Sequence, residues 1–318
     1  MLGGVKIYLA SPRGFCAGVE YAIEIVERAL DRFDGKVYVR HEIVHNRHVV
    51  DRLERMGAVF VEEPDEIPEG EVVVYSAHGV SPQVRAESRA KGLREIDATC
   101  PLVRKVHDEA LRLARAGHDI LLIGHEGHVE VEGTKGEAPD RIRVVETVED
   151  AAAIEVEDPE RVAYLTQTTL SVDDTAKIVA KLRERFPAIQ GPAKDDICYA
   201  TQNRQNAVKE LCRHVDVVLV VGDPHSSNSN RLVDVAQGQG RVAYLLQEAG
   251  QVEALLDEAR RCLRHDIASV GLTAGASAPA DLIDRVLEKL VELGGTMEDE
   301  VVTARERIHF ALPPSLRD

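Results

Sequence analysis

The sequence predicts an α/β protein built as three similar small lobes of mainly parallel sheet. Two observations lead there. Short β-rich runs alternate with amphipathic helical segments along nearly the whole chain, the pattern of parallel strands joined by helical crossovers. Three kinds of strand-to-helix turn also recur in a fixed order, three times over. Their spacing of roughly 90 residues is far longer than a solenoid repeat. Parallel strands gather their polar turns outside one end of each sheet. Lobes packed about an approximate threefold axis, as a pseudo-threefold trefoil, would line one central cavity with nine such turns.

The elements justify this in order. KIYLA, KVYVRHEI, EVVVYSA, ILLIG, RVAYLT, VDVVLVVG, RVAYLL and ASVGLTAG have the length and β-branched content of buried strands. Ser81-Pro82 and Thr99-Cys100-Pro101 put proline near the first helical position, and SVDD opens a helix that ends before Pro187. Gly57, Gly92, Gly117 and Gly294 follow helical stretches as terminators. The repeat sets a first lobe over 16–99, a second over 100–193 and a third over 194–293, the last joined by an N-terminal strand within 1–15. A tail over 294–318 follows, its course left open by its composition.

The chain has 318 residues with 39 basic and 55 acidic side chains, a net charge of −16. That balance argues against a general nucleic-acid binder, while local donors can still hold a small anion. No apolar run approaches the length of a membrane span, and MLGGVKIYLASPRG lacks the pattern of a signal peptide. The expectation is a cytoplasmic protein with neither a membrane nor a nucleic-acid partner. Disulfides rarely persist in that compartment. The five cysteines are then thiols, ligands or nucleophiles, and none forms a CxxC pair.

The first kind of turn carries a cysteine. SPRGFCAGVEY, IDATCPLVRKV and DDICYATQNRQ place Cys16, Cys100 and Cys198 between a strand end and a helix. A lone cysteine is usually a small buried hydrophobe, a reading that suits Cys212 and Cys262 within helical segments. Three equivalent turns that each keep a thiol need another explanation. Helix N-termini favour thiolate, and three converging thiolates suit a soft metal or an iron–sulfur cluster. Such a cluster ordinarily takes four cysteines, so three leave one iron with an open position. Gly14 and Gly18 would let the backbone approach a bulky inorganic core. A zinc site with three sulfurs fits the same spacing.

The second kind of turn is HEIVHNRHVV, IGHEGHVEVEG and VGDPHSSNSNR, and the third is YSAHGVSP, LTQTTLSVDD and LTAGASAP. Together they bring His45, Asn46, His78, His128, Thr168, Thr169, Ser226, Ser227, Asn228 and Ser277, with few lysines or arginines. That is a hydrogen-bonding shell suited to phosphate, which helix N-termini and histidines can hold. Taken singly, Ser and Asn at helix starts are ordinary caps; convergence with the cysteines favours a site. Glu130, two residues after His128, is the carboxylate expected inside the cavity, where burial would fit it to donate a proton. Glu126 and Glu132 compete for that role. His107, His118, His214 and His265 are expected at the surface.

At these residues the sequence resembles the 4-hydroxy-3-methylbut-2-enyl diphosphate reductases, iron–sulfur oxidoreductases of the non-mevalonate isoprenoid pathway. The resemblance runs from PRGFCAGV through HEIVHNRHVV, SAHGVSP, DATCPLV, GHEGHVEVEGT, TQTTLSVDDT, CYATQNRQ, DPHSSNSNRL and TAGASAP to FALPPSLR. It implies three lobes around a central [4Fe-4S] cluster held by Cys16, Cys100 and Cys198. It implies that the allylic diphosphate substrate is held by His45, His78, His128, Thr168, Ser226, Ser227, Asn228 and Ser277. Glu130 and Thr168 would handle the proton that lets the substrate hydroxyl leave as water. Reduced ferredoxin or flavodoxin would supply electrons, and isopentenyl and dimethylallyl diphosphate would be the products. Val129 stands where the family usually has proline, and Gln202 where threonine is common. Two readings of other classes remain beside it: a zinc-dependent hydrolase of phosphorylated metabolites, and a non-catalytic binding protein for such a metabolite.

Overall fold

The computed structural model describes residues 3–33, 36–263 and 265–317. Among them the strands form three sheets, and every named strand pairing is parallel. β1 (Lys6–Ser11) leads through the Cys16 turn into α1 (Ala17–Arg32). The first repeat follows: β2 (Val37–Arg40), α2 (Arg47–Met56), β3 (Ala58–Val61), β4 (Val72–Tyr75), α3 (Pro82–Ala90) and β5 (Arg94–Asp97). Its sheet has the order β3-β2-β4-β5. The second repeat is α4 (Pro101–Arg115), β6 (Asp119–Ile123), α5 (Val129–Lys135), β7 (Ile142–Val145), α6 (Val148–Ala153), β8 (Val162–Thr166) and α7 (Val172–Arg185), with the sheet order β7-β6-β8. The third is α8 (Tyr199–Leu211), β9 (Val217–Val221), α9 (Ser227–Gly238), β10 (Val242–Leu246), α10 (Val252–Cys262), β11 (Ser269–Ala274), α11 (Ala280–Glu292) and β12 (Thr296–Val302). Its sheet reads β10-β9-β11-β1-β12.

The repeat seen in the turns is therefore a repeat of topology. In each sheet the second strand flanks the first, the third lies on the first strand's other side, and the fourth comes beyond it. Two deviations matter. In the second repeat the fourth place is reduced to one parallel bridge, Gln190 to Ala163, so the Cys198 turn follows a bridge and not the strand expected. In the third, β1 is inserted between β11 and β12.

Contacts divide the chain into two compact units. One comprises Met1–Cys16, His45–Val49 and Tyr199–Ile308 and contains the five-stranded sheet. The other comprises Ala17–Val44, Val50–Cys198 and His309–Asp318 and contains the two smaller sheets. Central strands β4, β6, β9 and β11 are buried along their whole length, as parallel strands covered on both faces must be. Alternation still sorts their side chains: Val217, Leu219 and Val221 join one apolar cluster of the large sheet, Val218 and Val220 the other.

The punctuation is as the sequence predicts. Ser81 caps α3 ahead of Pro82, Cys100 occupies the cap of α4 ahead of Pro101, and Ser171 caps α7. Gly57, Gly92, Gly117 and Gly294 all have positive φ, the left-handed conformation that ends a helix at least cost with glycine. Beyond β12 the chain continues to an edge-on contact of Phe310 with Tyr21 of α1, ring centroids 6.1 Å apart, and buries Leu316. Among the described residues no helix is long and apolar enough to cross a membrane.

Candidate functional site

The three cysteine turns are built alike. Cys16 immediately precedes α1, Cys100 caps α4 and Cys198 immediately precedes α8. All three are partly buried thiols. Each donates its backbone N–H to a carbonyl in the small-polar turn of a neighbouring strand: Cys16 to Ala276 at 3.3 Å, Cys100 to Ala77 at 3.0 Å, Cys198 to Thr168 at 3.0 Å. Ala77, Thr168 and Ala276 are each the second residue past β4, β8 and β11. The same bond, made three times, joins a cysteine turn to a turn that presents His78, Thr168 or Ser277.

An aspartate fixes two of these turns. Asp97 accepts from the Thr99 N–H at 2.9 Å and pairs with Arg85 at 2.6 Å. Burial opposes its ionisation, but the Arg85 guanidinium and the Thr99 bonds more than offset this and hold the carboxyl below its ordinary range. Asp196 accepts from the Thr166 N–H at 3.1 Å and meets Lys105 at 3.2 Å. Burial pushes its carboxyl up in spite of Lys105.

In the unit with the two smaller sheets, Glu130 lies in the first turn of α5 and is 3 % exposed; Thr168, after β8, is 4 % exposed. The Thr168 N–H donates to Glu130 Oε1 at 2.6 Å and its hydroxyl to Oε2 at 3.0 Å. His128 caps α5, its Nδ1 accepting from the Glu130 N–H at 3.1 Å, so a neutral ring carries its proton on Nε2. The His78 and His128 rings meet edge to face, centroids 6.1 Å apart, and His78 Nδ1 lies 3.2 Å from the Ser76 hydroxyl. Glu126 and Glu132, the competing carboxylates, are exposed, Glu126 pairing with Lys135 at 3.2 Å.

The other unit carries the rest. Ser226 caps α9 through the Ser229 N–H at 3.2 Å, and the Ser229 hydroxyl donates to it at 3.0 Å. Ser277 Oγ donates to the His45 carbonyl at 2.9 Å and lies 3.5 Å from Ser226 Oγ. Asn228 braces the turn: Oδ1 accepts from the Ala276 N–H at 2.8 Å and Nδ2 donates to Thr201 Oγ1 at 3.2 Å. Ser227 begins α9, and Asn46 Oδ1 accepts from the His48 N–H at 3.0 Å ahead of α2.

Two residues missed in the sequence stand close to these turns. His107, expected at the surface, is buried: Nδ1 meets Glu137 at 2.8 Å, and its ring fits against Gly79 and Gly133, where a methyl group would intrude. The stripe Val103, Val106, His107, Ala110, Leu113 along α4 is the signal that was available. Arg204 of α8 is fully buried beside Ala200, Ala207, Val208 and Leu211, a similar stripe. His118 is partly buried, while His214 and His265 are exposed as expected. Cys212 is buried, but Cys262 is exposed at the end of α10, off the buried stripe Val252, Leu256, Ala259.

Three thiols at helix starts supply the donor chemistry that would suit an iron–sulfur cluster. Among the described residues, no three His, Cys, Asp or Glu side chains form a group around a single metal ion.

Comparison with known proteins places this geometry. Residues 7–291 match the family model described as LytB protein. The chain belongs to the LytB family. It is 57 % identical over 313 residues to the 4-hydroxy-3-methylbut-2-enyl diphosphate reductase of Aromatoleum aromaticum and 55 % identical over 313 residues to that of Azoarcus sp., covering 98 % of each chain in both comparisons. The solved structure of E-1-hydroxy-2-methyl-but-2-enyl-4-diphosphate reductase from Plasmodium falciparum superposes with a TM-score of 0.92 at 40 % identity, over 99 % of this chain and 97 % of that one. A second, titled (E)-4-hydroxy-3-methyl-but-2-enyl diphosphate reductase, the terminal enzyme of the non-mevalonate pathway, matches at 0.63 and 34 % identity, over 91 % and 99 %. As a LytB protein the chain is an oxidoreductase. Val129, where the resemblance implied a proline, is the first residue of α5, and the Glu130–Thr168 bonds form beside it.

Proposed function

We propose that this chain reduces 4-hydroxy-3-methylbut-2-enyl diphosphate to isopentenyl and dimethylallyl diphosphate, with a [4Fe-4S] cluster held by Cys16, Cys100 and Cys198. The observation that carries the reading is the buried Glu130–Thr168 pair, bonded through Thr168 to the Cys198 backbone. The overall reaction consumes two electrons and two protons: the hydroxyl leaves as water, and the allylic fragment takes a proton at either end. When bound, the cluster supplies the electrons, one at a time, and an iron without a cysteine ligand that acts as a Lewis acid.

The chain's own residues do the rest. When protonated at Oε2, Glu130 reverses its bond with Thr168 and donates to Oγ1, which releases its own proton to the departing hydroxyl. His128 Nε2–H, His78, His45, Ser226, Ser227, Asn228 and Ser277 bind the diphosphate; of the two amide hydrogens on Asn228, the bond to Thr201 uses one. Burial around Glu130 and Thr168 excludes water and strengthens each of these bonds. Reduced ferredoxin or flavodoxin is the electron donor in this reading. Its acidic surface requires a local basic patch on a chain of net charge −16, in the cytoplasm where both would reside.

The test is iron and acid-labile sulfide per chain on protein purified without oxygen, followed by anaerobic turnover with a reduced donor. About four of each per chain are expected for an intact cubane. Stoichiometric zinc without sulfide, from cells able to assemble clusters, would overturn the reading in favour of a zinc hydrolase.

A further inference from the structure

Arg204 is the largest fully buried side chain among the described residues, and it is a cation. A buried guanidinium is tolerated only where its five N–H donors find acceptors. Here Nε and Nη2 donate to the Gly14 carbonyl at 3.1 and 2.7 Å, Nη2 also to the Phe15 carbonyl at 3.1 Å, and Nη1 to the Ala200 carbonyl at 2.9 Å. Its charge is met by Glu306, which lies past β12 near the end of the chain, at 3.1 Å. Asn203 Nδ2 also donates to Glu306, at 3.0 Å. Gly14 and Phe15 are the two residues before Cys16, so this one side chain holds the backbone of the Cys16 turn from behind.

The turn depends on outside support. Gly14 has φ +70°, and a Cβ there would meet Ile283 at 2.9 Å and the Ala278 carbonyl at 3.2 Å. The Gly14 and Cys16 N–H groups each donate at 3.3 Å, to Ala274 and Ala276. The carbonyl side of the turn is served by Arg204 through three bonds.

We propose that Arg204, neutralised by Glu306, is the positioning residue of the Cys16 turn, fixing that thiol for the cluster. This rests on the ligand role proposed for Cys16. The charge alone is not enough: a lysine has one nitrogen and cannot reproduce a planar fork shared between Gly14, Phe15, Ala200 and Glu306. Glu306 makes the closing segment part of the device, tying residue 306 to residues 14 and 15.

The test compares full-length wild type with Arg204→Lys and Glu306→Gln, all purified without oxygen. Hydrogen exchange is read for the peptide spanning residues 11–18, and iron and sulfide per chain are followed during exposure to air. Arg204→Lys should exchange in that peptide at least about fivefold faster, with the central strands β9 and β11 unchanged, and should lose iron in air several-fold faster than wild type. Glu306→Gln, which leaves the carbonyl bonds in place, should shift both in the same direction by less and serves if the lysine variant does not accumulate. Unchanged exchange over residues 11–18 in both variants would overturn the proposal. Faster exchange in the variants than in wild type, with all three lacking iron and sulfide, would sustain the positioning of Cys16 while refuting the cluster.

Discussion

The N–H of Cys198 donates to the carbonyl of Thr168 at 3.0 Å, while Thr168 gives its own N–H and hydroxyl to Glu130. One threonine thus connects a proposed cluster ligand and a proposed proton donor, through the backbone to the first and partly through a side chain to the second. The two connections can be cut separately.

Thr168→Val keeps both backbone bonds and removes only the hydroxyl. Turnover should fall on the order of 10- to 100-fold by losing the relay, and Glu130→Gln should cost about 10²- to 10⁴-fold as the loss of the acid itself. Iron and sulfide per chain should match wild type in both. Anaerobic kinetics paired with metal analysis checks this; loss of iron in Thr168→Val would show that the hydroxyl serves the fold.

Gly79→Ala should disturb the His78 turn. Gly79 has φ +90°, and an added Cβ would lie 2.7 Å from His107 Nε2, on a ring also held by Glu137. A loss of about 1–3 kcal/mol of stability is expected from backbone strain at that φ, with a raised KM. Urea unfolding and steady-state kinetics read the two effects.

Asp97 gives a pH signature. Its carboxyl is held below the ordinary range in the folded chain, so its contribution is present above the unfolded value and lost as pH falls through the folded one. Wild type should therefore lose stability more steeply on acidification below about pH 4 than Asp97→Asn, whose side chain does not titrate. The urea midpoint followed against pH reports the difference.

Val129→Pro should be accepted. Val129 is the first residue of α5, where proline's fixed φ suits the helix and the N–H has no intrahelical partner. Stability should rise by about 0.4–1 kcal/mol with turnover unchanged, as thermal unfolding and kinetics would show.

Cys212 and Cys262 should prove dispensable and differ in reactivity. Burial pushes the Cys212 thiol up to about 11, whereas Cys262 is exposed. Native alkylation should label Cys262 quickly and Cys212 only on unfolding, and Cys212→Ala and Cys262→Ser should keep the iron and sulfide of wild type.

The large sheet's inner strands were plain in the sequence because VDVVLVVG and ASVGLTAG are apolar on both faces, and the cysteine turns were plain because they recur. The strands that escaped notice are marginal ones. All four are edge strands: AVFV at β3 and IRVV at β7 are apolar but only four residues long, REID at β5 is partly exposed, and TMEDEVV at β12 is exposed almost throughout. Glu130 was legible by its company; the geometry then separates it from Glu126 and Glu132, which spacing could not. His107 and Arg204 lay on apolar stripes in plain view, but their partners Glu137 and Glu306 are supplied by distant segments that spacing does not pair.

The placement of β1 also orders the protein's manufacture. Lys6–Ser11 is synthesised long before the strands on either side of it, Ser269–Ala274 and Thr296–Val302. At ordinary synthesis rates the first strand waits on the order of tens of seconds for both neighbours. The two smaller sheets have all their strands before the five-stranded one has its second. Cys16 is the first of the three thiols to be made, yet its turn waits for Ala274 and Ala276 to accept the N–H groups of Gly14 and Cys16.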